Sequence, residues 1–158
     1  MGEGPVFLTT FIEGILVHGS AMPFVLLVPS VHPPHRGLLM PPQVPWSPGY
    51  LPPALLQAQI DATWKIPFRF HDPSRLPVVF DERTSRLPTP WLLRLEGLEG
   101  QQRLYLTHLL RTKAPEDQVP APPDGGQWVG EKALASLDLV PGVRRLCQTA
   151  LALVRENA

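Results

Sequence analysis

The sequence contains almost no cysteine and no excess of charge of either sign, and both shortages exclude classes of protein. Cys147 is its single cysteine in 158 residues, so neither an intramolecular disulfide nor a cysteine-based zinc cluster can form. Lysine plus arginine and aspartate plus glutamate number 14 each, which gives a formal net charge of zero. This balance offers no general attraction to nucleic acid or to an anionic membrane, and we expect neither as a partner.

Long hydrophobic runs are also missing. No apolar stretch approaches the roughly 20 residues that a membrane-spanning helix needs. The first residues lack the basic start and apolar stretch of a secretory signal peptide, so we expect a cytoplasmic protein. Hydrophobic residues still make up 44% of the chain, and charged residues make up 18%. We therefore expect enough apolar material for the core of one domain over residues 1–158.

Proline is abundant, and its positions indicate where regular structure is interrupted. The 21 prolines cluster at 29–53, 67–90 and 115–123. Because proline fixes φ and lacks a backbone donor, these stretches are predicted to be connections between elements. The segment 29–53 is predicted to be one long loop without regular structure, and a loop of that length is usually functional or mobile.

Between the prolines, apolar periodicity predicts an α+β protein. In the strand predicted over 103–111, Leu104, Leu106, His108 and Leu110 share one face. An apolar stripe also marks the last predicted helix. Strands are predicted over 6–12, 23–28, 78–80, 91–95, 103–111 and 127–130, and helices over 54–64, 131–136 and 141–156.

The order of these elements resembles a Nudix (MutT-like) domain. Two stretches carry the resemblance besides the order. One is the C-terminal run QWVGEKAL at 127–134 followed by LDLVPGVRRL at 137–146, and the other is GLLMPP at 37–42 followed by PGY at 48–50. The resemblance implies an α/β/α sandwich with a mixed sheet and a C-terminal helix.

The Nudix motif itself is largely lost where the resemblance places it. Laid without gaps from Val44 to Ile66, the motif matches only at its two aliphatic positions, Ile60 and Ile66. The other positions hold Val44 for the first glycine, Tyr50 for the first glutamate, Ala58 for the arginine, Gln59, Ala62 and Thr63 for the helical glutamates, and Lys65 for the closing glycine.

The lost glutamates matter because of their spacing. Carboxylates at i, i+3 and i+4 converge on one helix face, where they hold Mg²⁺ or Mn²⁺. These metals bridge a pyrophosphate and activate water. With Gln59, Ala62 and Thr63 in their places, we expect no metal or other cofactor and no catalytic residue. The degenerate Nudix box therefore indicates a pseudoenzyme.

Several residues are candidates for binding a ligand, each with a purely structural alternative. Trp46 and Tyr50 could stack a nucleobase or could pin the proline-rich loop to the domain. His108 could face the cleft, although a core histidine is the simpler interpretation. Gln59, Thr63 and Arg36 complete the candidate set. For the remaining conspicuous residues we expect His32 and His35 to be exposed loop residues, and Trp64, Trp91 and Cys147 to pack in the core.

Three functions remain open. The favoured one is a Nudix-like protein that has lost pyrophosphohydrolase activity and binds a nucleotide-like ligand or a protein partner. The second is a divergent Mg²⁺- or Mn²⁺-dependent hydrolase of nucleoside diphosphate derivatives. Its metal site would draw on Asp61, Glu82, Glu96, Glu99 or Glu116. The third is a structural or interaction domain. The resemblance also makes a homodimer possible.

Overall fold

The computed structural model describes residues 7–31, 33–47, 49, 52–71, 91–98 and 100–156. The strand predicted over 78–80 lies outside them. The described strands are β1 (Phe7–His18), β2 (Phe24–Pro29), β3 (Leu39–Met40), β4 (Gln43–Pro45), β5 (Phe68–Phe70), β6 (Leu92–Leu98), β7 (Gln101–Thr112) and β8 (Gln127–Val129). The helices are α1 (Pro52–Thr63), α2 (Glu131–Leu134) and α3 (Val143–Glu156). No helix in the described ranges is long and apolar enough to span a membrane.

A parallel pair of long strands forms the centre of the mixed sheet. β1 and β7 run side by side in register from Phe7 opposite Gln101 to Val17 opposite Arg111. The other strand pairs are antiparallel: β2 and β4 pair with β1, β5 and β6 pair with β7, and β3 and β8 pair with β2. The two long central strands therefore fix the position of every side chain near the middle of the sheet.

The two faces of the sheet pack against different helices, because successive strand residues point to opposite sides. Ile12 and Leu16 of β1 face α1 and pack with its Leu56 and Ile60. Residues of the other parity, including Ile15 and Val17, face α3. The predicted apolar stripe of α3 is confirmed, since Val143, Leu146, Cys147, Ala150, Leu151 and Val154 are all buried. The predicted sandwich is therefore the fold of this chain.

A glycine allows α1 to approach the sheet closely. A Cβ added at Gly14 would lie 3.0 Å from Leu110 Cδ1 and 3.2 Å from Leu56 Cδ2, tighter than ordinary van der Waals contact. A side chain there would require the Leu110 and Leu56 side chains to shift by a few tenths of an ångström. Glycine at this position thus allows the close packing of α1, which forms one wall of the helix cleft described below.

The prediction that 29–53 lacks regular structure is wrong. β3 pairs with β2, with Val28 opposite Met40, and β4 pairs with β1, with Phe11 opposite Pro45. Both strands are short enough to fit between prolines. Among the described strands, β4 pairs with β1 alone, so one of its edges forms no strand pair. A proline is tolerated in such a strand, because the N–H that it lacks is not needed for pairing on that edge. The segment therefore contributes backbone to the sheet beside the site.

Candidate functional site: two clefts that share lining residues

Two clefts meet at Met40 and Gln43, which line both of them. The first, the helix cleft, has a volume of about 610 Å³ and is lined by Gln59, Thr63 and Trp64 of α1 together with Val28, Pro42 and Asp124. The second, the aromatic cleft, has a volume of about 430 Å³ and is lined by Phe11, Ser30, His35, Arg103, Tyr105 and Val140. Together they are large enough for an extended small molecule.

The α1 side of the helix cleft presents neutral polar groups. Gln59 and Thr63 are one turn apart on the exposed face of α1, and the Gln59 amide Nε2 donates to Thr63 Oγ1 at 3.1 Å. Ala62, beside them, is also exposed and adds no polar atom. The acid of this helix, Asp61, accepts two hydrogen bonds from Gln57 Nε2 at 3.1 and 2.9 Å. It does not line either cleft.

Two aromatic rings form one wall of the aromatic cleft. Phe11 and Tyr105 are direct neighbours across the β1–β7 ladder, and their ring centroids are 5.7 Å apart. The Arg94 guanidinium lies 4.0 Å from the Tyr105 centroid, and that of Arg103 lies 5.8 Å from the Phe11 centroid. Both distances fall in the cation–π range. Phe11 is half-buried and Tyr105 is buried behind it, so Phe11 supplies the accessible ring surface.

Glu96 connects three groups at the rim of this cleft. Its carboxylate accepts from the Tyr105 hydroxyl at 3.3 Å and lies 3.3 Å from His35 Nε2 and 3.9 Å from Arg103 Nη1. Burial raises the pKa of Tyr105, so its phenol stays protonated and able to donate near neutral pH. The Arg103 guanidinium therefore reaches the cleft with the Glu96 carboxylate already beside it.

A second acid, Glu13, lies beneath the junction of the two clefts. It is fully buried in β1, and it accepts three side-chain hydrogen bonds. Arg94 Nη2 donates at 2.7 Å, Gln43 Nε2 at 2.8 Å and Thr107 Oγ1 at 3.0 Å. Because a buried carboxylate is costly without such partners, this network holds four side chains in fixed positions.

The residues predicted from the sequence to bind a ligand fall in different places. Gln59 and Thr63 line the helix cleft. Trp46 is exposed just after β4, where its backbone N–H donates to Thr10. Arg36 is exposed and donates to the Val31 carbonyl at 3.4 Å.

His108 is buried in β7 and meets Phe70 edge to face at 5.4 Å, so the core interpretation is confirmed. It is absent from the described lining of both clefts. Tyr50 and His32 lie outside the described residues. The expected packing of Trp64 and Trp91 against the cores is confirmed, as is the burial of Cys147.

Sequence reasoning missed most of the aromatic cleft. The expectation that His35 is exposed is wrong, because its side chain keeps only 14% of its surface and faces Glu96. Arg103 and Tyr105 were assigned to a strand but not to a site. One signal was available: Glu13 is an acid inside an apolar strand, and an acid in such a place needs partners brought by the fold.

The acids that would serve a divergent hydrolase are dispersed. Asp61 is on the outer surface of α1, Glu96 is at the rim of the aromatic cleft, and Glu116 binds the backbone N–H groups of residues 20–22. Glu82 and Glu99 lie outside the described residues. Within the described ranges, no cluster of three or more His, Cys, Asp or Glu is arranged to hold a metal ion.

Comparison with known proteins identifies the fold. No protein-family model and no curated protein sequence matches the chain. Solved structures do match it, among them a Nudix-family hydrolase from Clostridium perfringens, with a TM-score of 0.68 at 14% identity over 92% of this chain and 97% of that one. The chain has the Nudix fold.

Two further solved structures that match the chain differ in what they bind. The Nudix domain of Shewanella oneidensis NrtR was solved with ADP-ribose; it matches with a TM-score of 0.62 at 11% identity over 96% of this chain and 90% of that one. The C-terminal domain of mouse MUTYH was solved in complex with human PCNA; it matches with a TM-score of 0.55 at 15% identity over 95% and 90% of the two chains. At these identities the similarity establishes the fold alone.

Proposed function

We propose that this chain is a Nudix-fold binding protein that has lost pyrophosphohydrolase activity and holds a nucleotide-like ligand across the two clefts. The observation that carries the proposal is the pair Gln59 and Thr63. These two side chains line the helix cleft at positions that the resemblance assigns to metal-binding glutamates, and they hydrogen-bond to each other at 3.1 Å.

The backbone at the end of α1 supports this placement of the motif. Lys65 occupies the position of the closing glycine and has a φ of 53°, a conformation that glycine adopts more easily than other residues. Its N–H donates to the Ile60 carbonyl, five residues earlier in the chain. Ile60 and Ile66, the two matching positions, are both buried. The conformation of a closing glycine thus remains although the residue has changed.

The groups at the glutamate positions do not fit Mg²⁺ or Mn²⁺. These hard cations require several oxygen ligands, mostly carboxylates. Gln59 offers one neutral amide oxygen, Thr63 offers a hydroxyl already bound by Gln59, and Ala62 offers nothing. No reaction step through a metal follows from this set of donors.

The aromatic cleft supports a ligand that contains a planar ring. The accessible surface of Phe11 can stack a nucleobase, and stacking of this kind contributes about 1–3 kcal/mol per base. Arg103 lies beside the same ring, where its guanidinium can contact a phosphate of the ligand. The NrtR domain, which shares the fold, binds ADP-ribose, so a nucleotide-like ligand suits this architecture.

Calorimetry of the purified chain in EDTA tests the proposal. Nucleosides, nucleoside mono- and diphosphates and ADP-ribose would be titrated into the wild type and into Phe11→Ala. We expect at least one of these ligands to bind without metal, and we expect Phe11→Ala to weaken that binding about tenfold or more. Exposed Val119, changed to alanine, serves as the control and leaves the affinity within about twofold, because it lines neither cleft. If no ligand of the panel binds, the proposal is wrong.

A restoration experiment tests the loss of catalysis separately. The variant Gln59→Glu/Ala62→Glu/Thr63→Glu returns three carboxylates to one face of α1. We expect it to bind Mn²⁺, detected by electron paramagnetic resonance, while the wild type does not. Turnover of ADP-ribose or a dinucleoside polyphosphate by the wild type, abolished by chelator, would instead establish the divergent hydrolase.

Exposed leucines favour a second function, self-association through β6. Leu93 and Leu95 are 64% and 61% exposed on one face of β6, which pairs with β7 alone among the described strands. Unpaired strand edges bind other edges, and an antiparallel pair centred on Leu95 would place Arg94 of one copy opposite Glu96 of the other. We expect Leu93→Lys/Leu95→Lys to convert a dimer to a monomer in light scattering, and Val119→Lys, in a loop, to leave it unchanged. A monomeric wild type at high concentration would exclude this function.

A further inference from the structure

Gln43 occupies the junction between the two clefts. It is the first residue of β4, it lies directly opposite Glu13 in the β1–β4 ladder, and it lines both clefts. Its side chain is partly buried. Its amide group is therefore close to the aromatic cleft, where it can meet a bound ligand.

The surrounding network fixes which way the Gln43 amide is turned. Nε2 donates to Glu13 Oε2 at 2.8 Å, and a carboxylate bound by the Arg94 guanidinium acts as an acceptor only. If the amide were reversed, its oxygen would face the carboxylate oxygen and repel it. Nε2 is therefore committed to Glu13, and Oε1 is the atom left for the clefts.

The buried position of Glu13 makes this orientation hard to change. Glu13 is fully buried, and Gln43 is one of three side-chain donors to its carboxylate, besides Arg94 and Thr107. Withdrawing Nε2 would leave a buried charge with one donor fewer, which is costly. The cleft thus contains a hydrogen-bond acceptor that does not adapt to its ligand.

We propose that Gln43 Oε1 selects ligands whose ring carries a hydrogen-bond donor, so that the ligand class is an amino-substituted nucleobase rather than a ring without an N–H group. This inference rests on the proposed binding function and narrows its ligand. A ring without a donor would displace water from Oε1 without forming a hydrogen bond in its place. Sites with such a buried polar group discriminate strongly against ligands that lack the matching group.

A merely structural role for Gln43 predicts something different. The β4 backbone already pairs with β1 through Phe11, Ile12 and Glu13, so the strand is held without the side chain. A structural residue would change stability and would affect all ligands equally. If Gln43 instead hydrogen-bonds to the ring of the ligand, its substitution changes the ratio of affinities between two ligands that differ in one amino group.

The experiment uses matched ligand pairs with the full chain in EDTA. Affinities for adenosine and purine riboside, which lacks the amino group, and for guanosine and inosine, which lacks the 2-amino group, would be measured by calorimetry. We expect the amino-bearing member of at least one pair to bind the wild type about tenfold more tightly. In Gln43→Met, of similar length but without the amide, that ratio should fall to about one. Gln127→Met, on an exposed strand position, should keep the wild-type ratio.

The outcomes distinguish a failure of this inference from a failure of the proposed nucleotide-binding function on which it rests. If both members of each pair bind the wild type equally well, the inference is wrong while nucleotide binding stands. If no nucleoside or nucleotide binds, the proposed function itself fails. Should Gln43→Met not fold, N6,N6-dimethyladenosine replaces the variant, because methyl groups remove both donors from the ring. Its affinity for the wild type should drop to that of purine riboside, and an affinity equal to that of adenosine would overturn the inference.

Discussion

Nη2 of Arg94 lies 2.7 Å from Oε2 of Glu13, and the carboxylate that it meets is completely buried. The pair joins the edge strand β6 to the central strand β1 across β7. Its geometry also holds Gln43 in place, so one ion pair connects the stability of the sheet to the shape of both clefts.

Removing the cation of this pair should destabilise the protein. Arg94→Met leaves the Glu13 carboxylate buried with fewer donors, and we expect the free energy of unfolding to fall by about 3 kcal/mol. In a Glu13→Gln background the same change should cost less than about 1 kcal/mol, because no buried charge remains. Urea denaturation at pH 7 measures both, with exposed Arg145→Met as the control. If Arg94→Met lowered the free energy of unfolding equally in the wild-type and Glu13→Gln backgrounds, Arg94 and Glu13 would not be energetically coupled.

An acid-dependent contribution to stability is expected from Glu116. Hydrogen bonds from the backbone N–H groups of Ser20, Ala21 and Met22 hold its pKa below the ordinary 4.5. A carboxyl with a depressed pKa in the folded state stabilises the protein above its unfolded pKa, and this contribution is lost as pH falls through the folded value. Glu116→Gln should therefore lower the urea midpoint at pH 7 and have a much smaller effect near pH 3. The neighbouring exposed Gln118→Ala, which removes no titratable group, should show no such pH-dependent difference.

The thiol of Cys147 should be unreactive in the folded protein. Burial among the residues of α3 and the sheet raises its pKa to about 12, so almost no thiolate exists at pH 8. We expect a thiol reagent such as dithionitrobenzoate to leave the native protein unmodified over minutes and to modify one thiol per chain in 6 M guanidinium. Rapid modification of the native protein would mean that α3 opens locally.

Lys65 should be a site where glycine stabilises the fold. Its φ of 53° costs a side-chain-bearing residue about 1 kcal/mol or more, although glycine adds entropy to the unfolded chain. We expect Lys65→Gly to raise the free energy of unfolding by up to about 1 kcal/mol. Lys65→Val should lower it, because a β-branched residue tolerates this region poorly. Lys65→Ala, which keeps a Cβ, is the matched control and should change little. A destabilising Lys65→Gly would contradict this account of the helix end.

The elements that the sequence predicted well are those whose burial follows a period. α3 has six buried residues on one stripe, and β7 alternates between the two cores, so both could be located without knowing what packs on them. β3 and β4 were missed because two or three residues between prolines show no period at all. Their pairing is decided by β1 and β2, which means that tertiary contacts override local composition.

Only part of the clefts could be predicted, for a related reason. Gln59 and Thr63 lie on one helix, and their spacing alone places them together. His35, Arg103 and Tyr105 come from segments far apart in the chain, and the β1–β7 register that brings Phe11 beside Tyr105 has no signature in either strand. The aromatic cleft therefore could not be predicted without knowing the register of β1 and β7.

The parallel pairing of β1 with β7 also has a consequence for how the chain folds. The ladder joins residues 94 positions apart, such as Glu13 and Thr107, so β1 leaves the ribosome long before its partner exists. Contacts of such long range slow folding, because a large loop must close before they form. The apolar segment of β1 lacks its β7 partner during that time, so it is prone to aggregation. We expect refolding to be slow for a chain of this size and its yield to fall steeply with protein concentration.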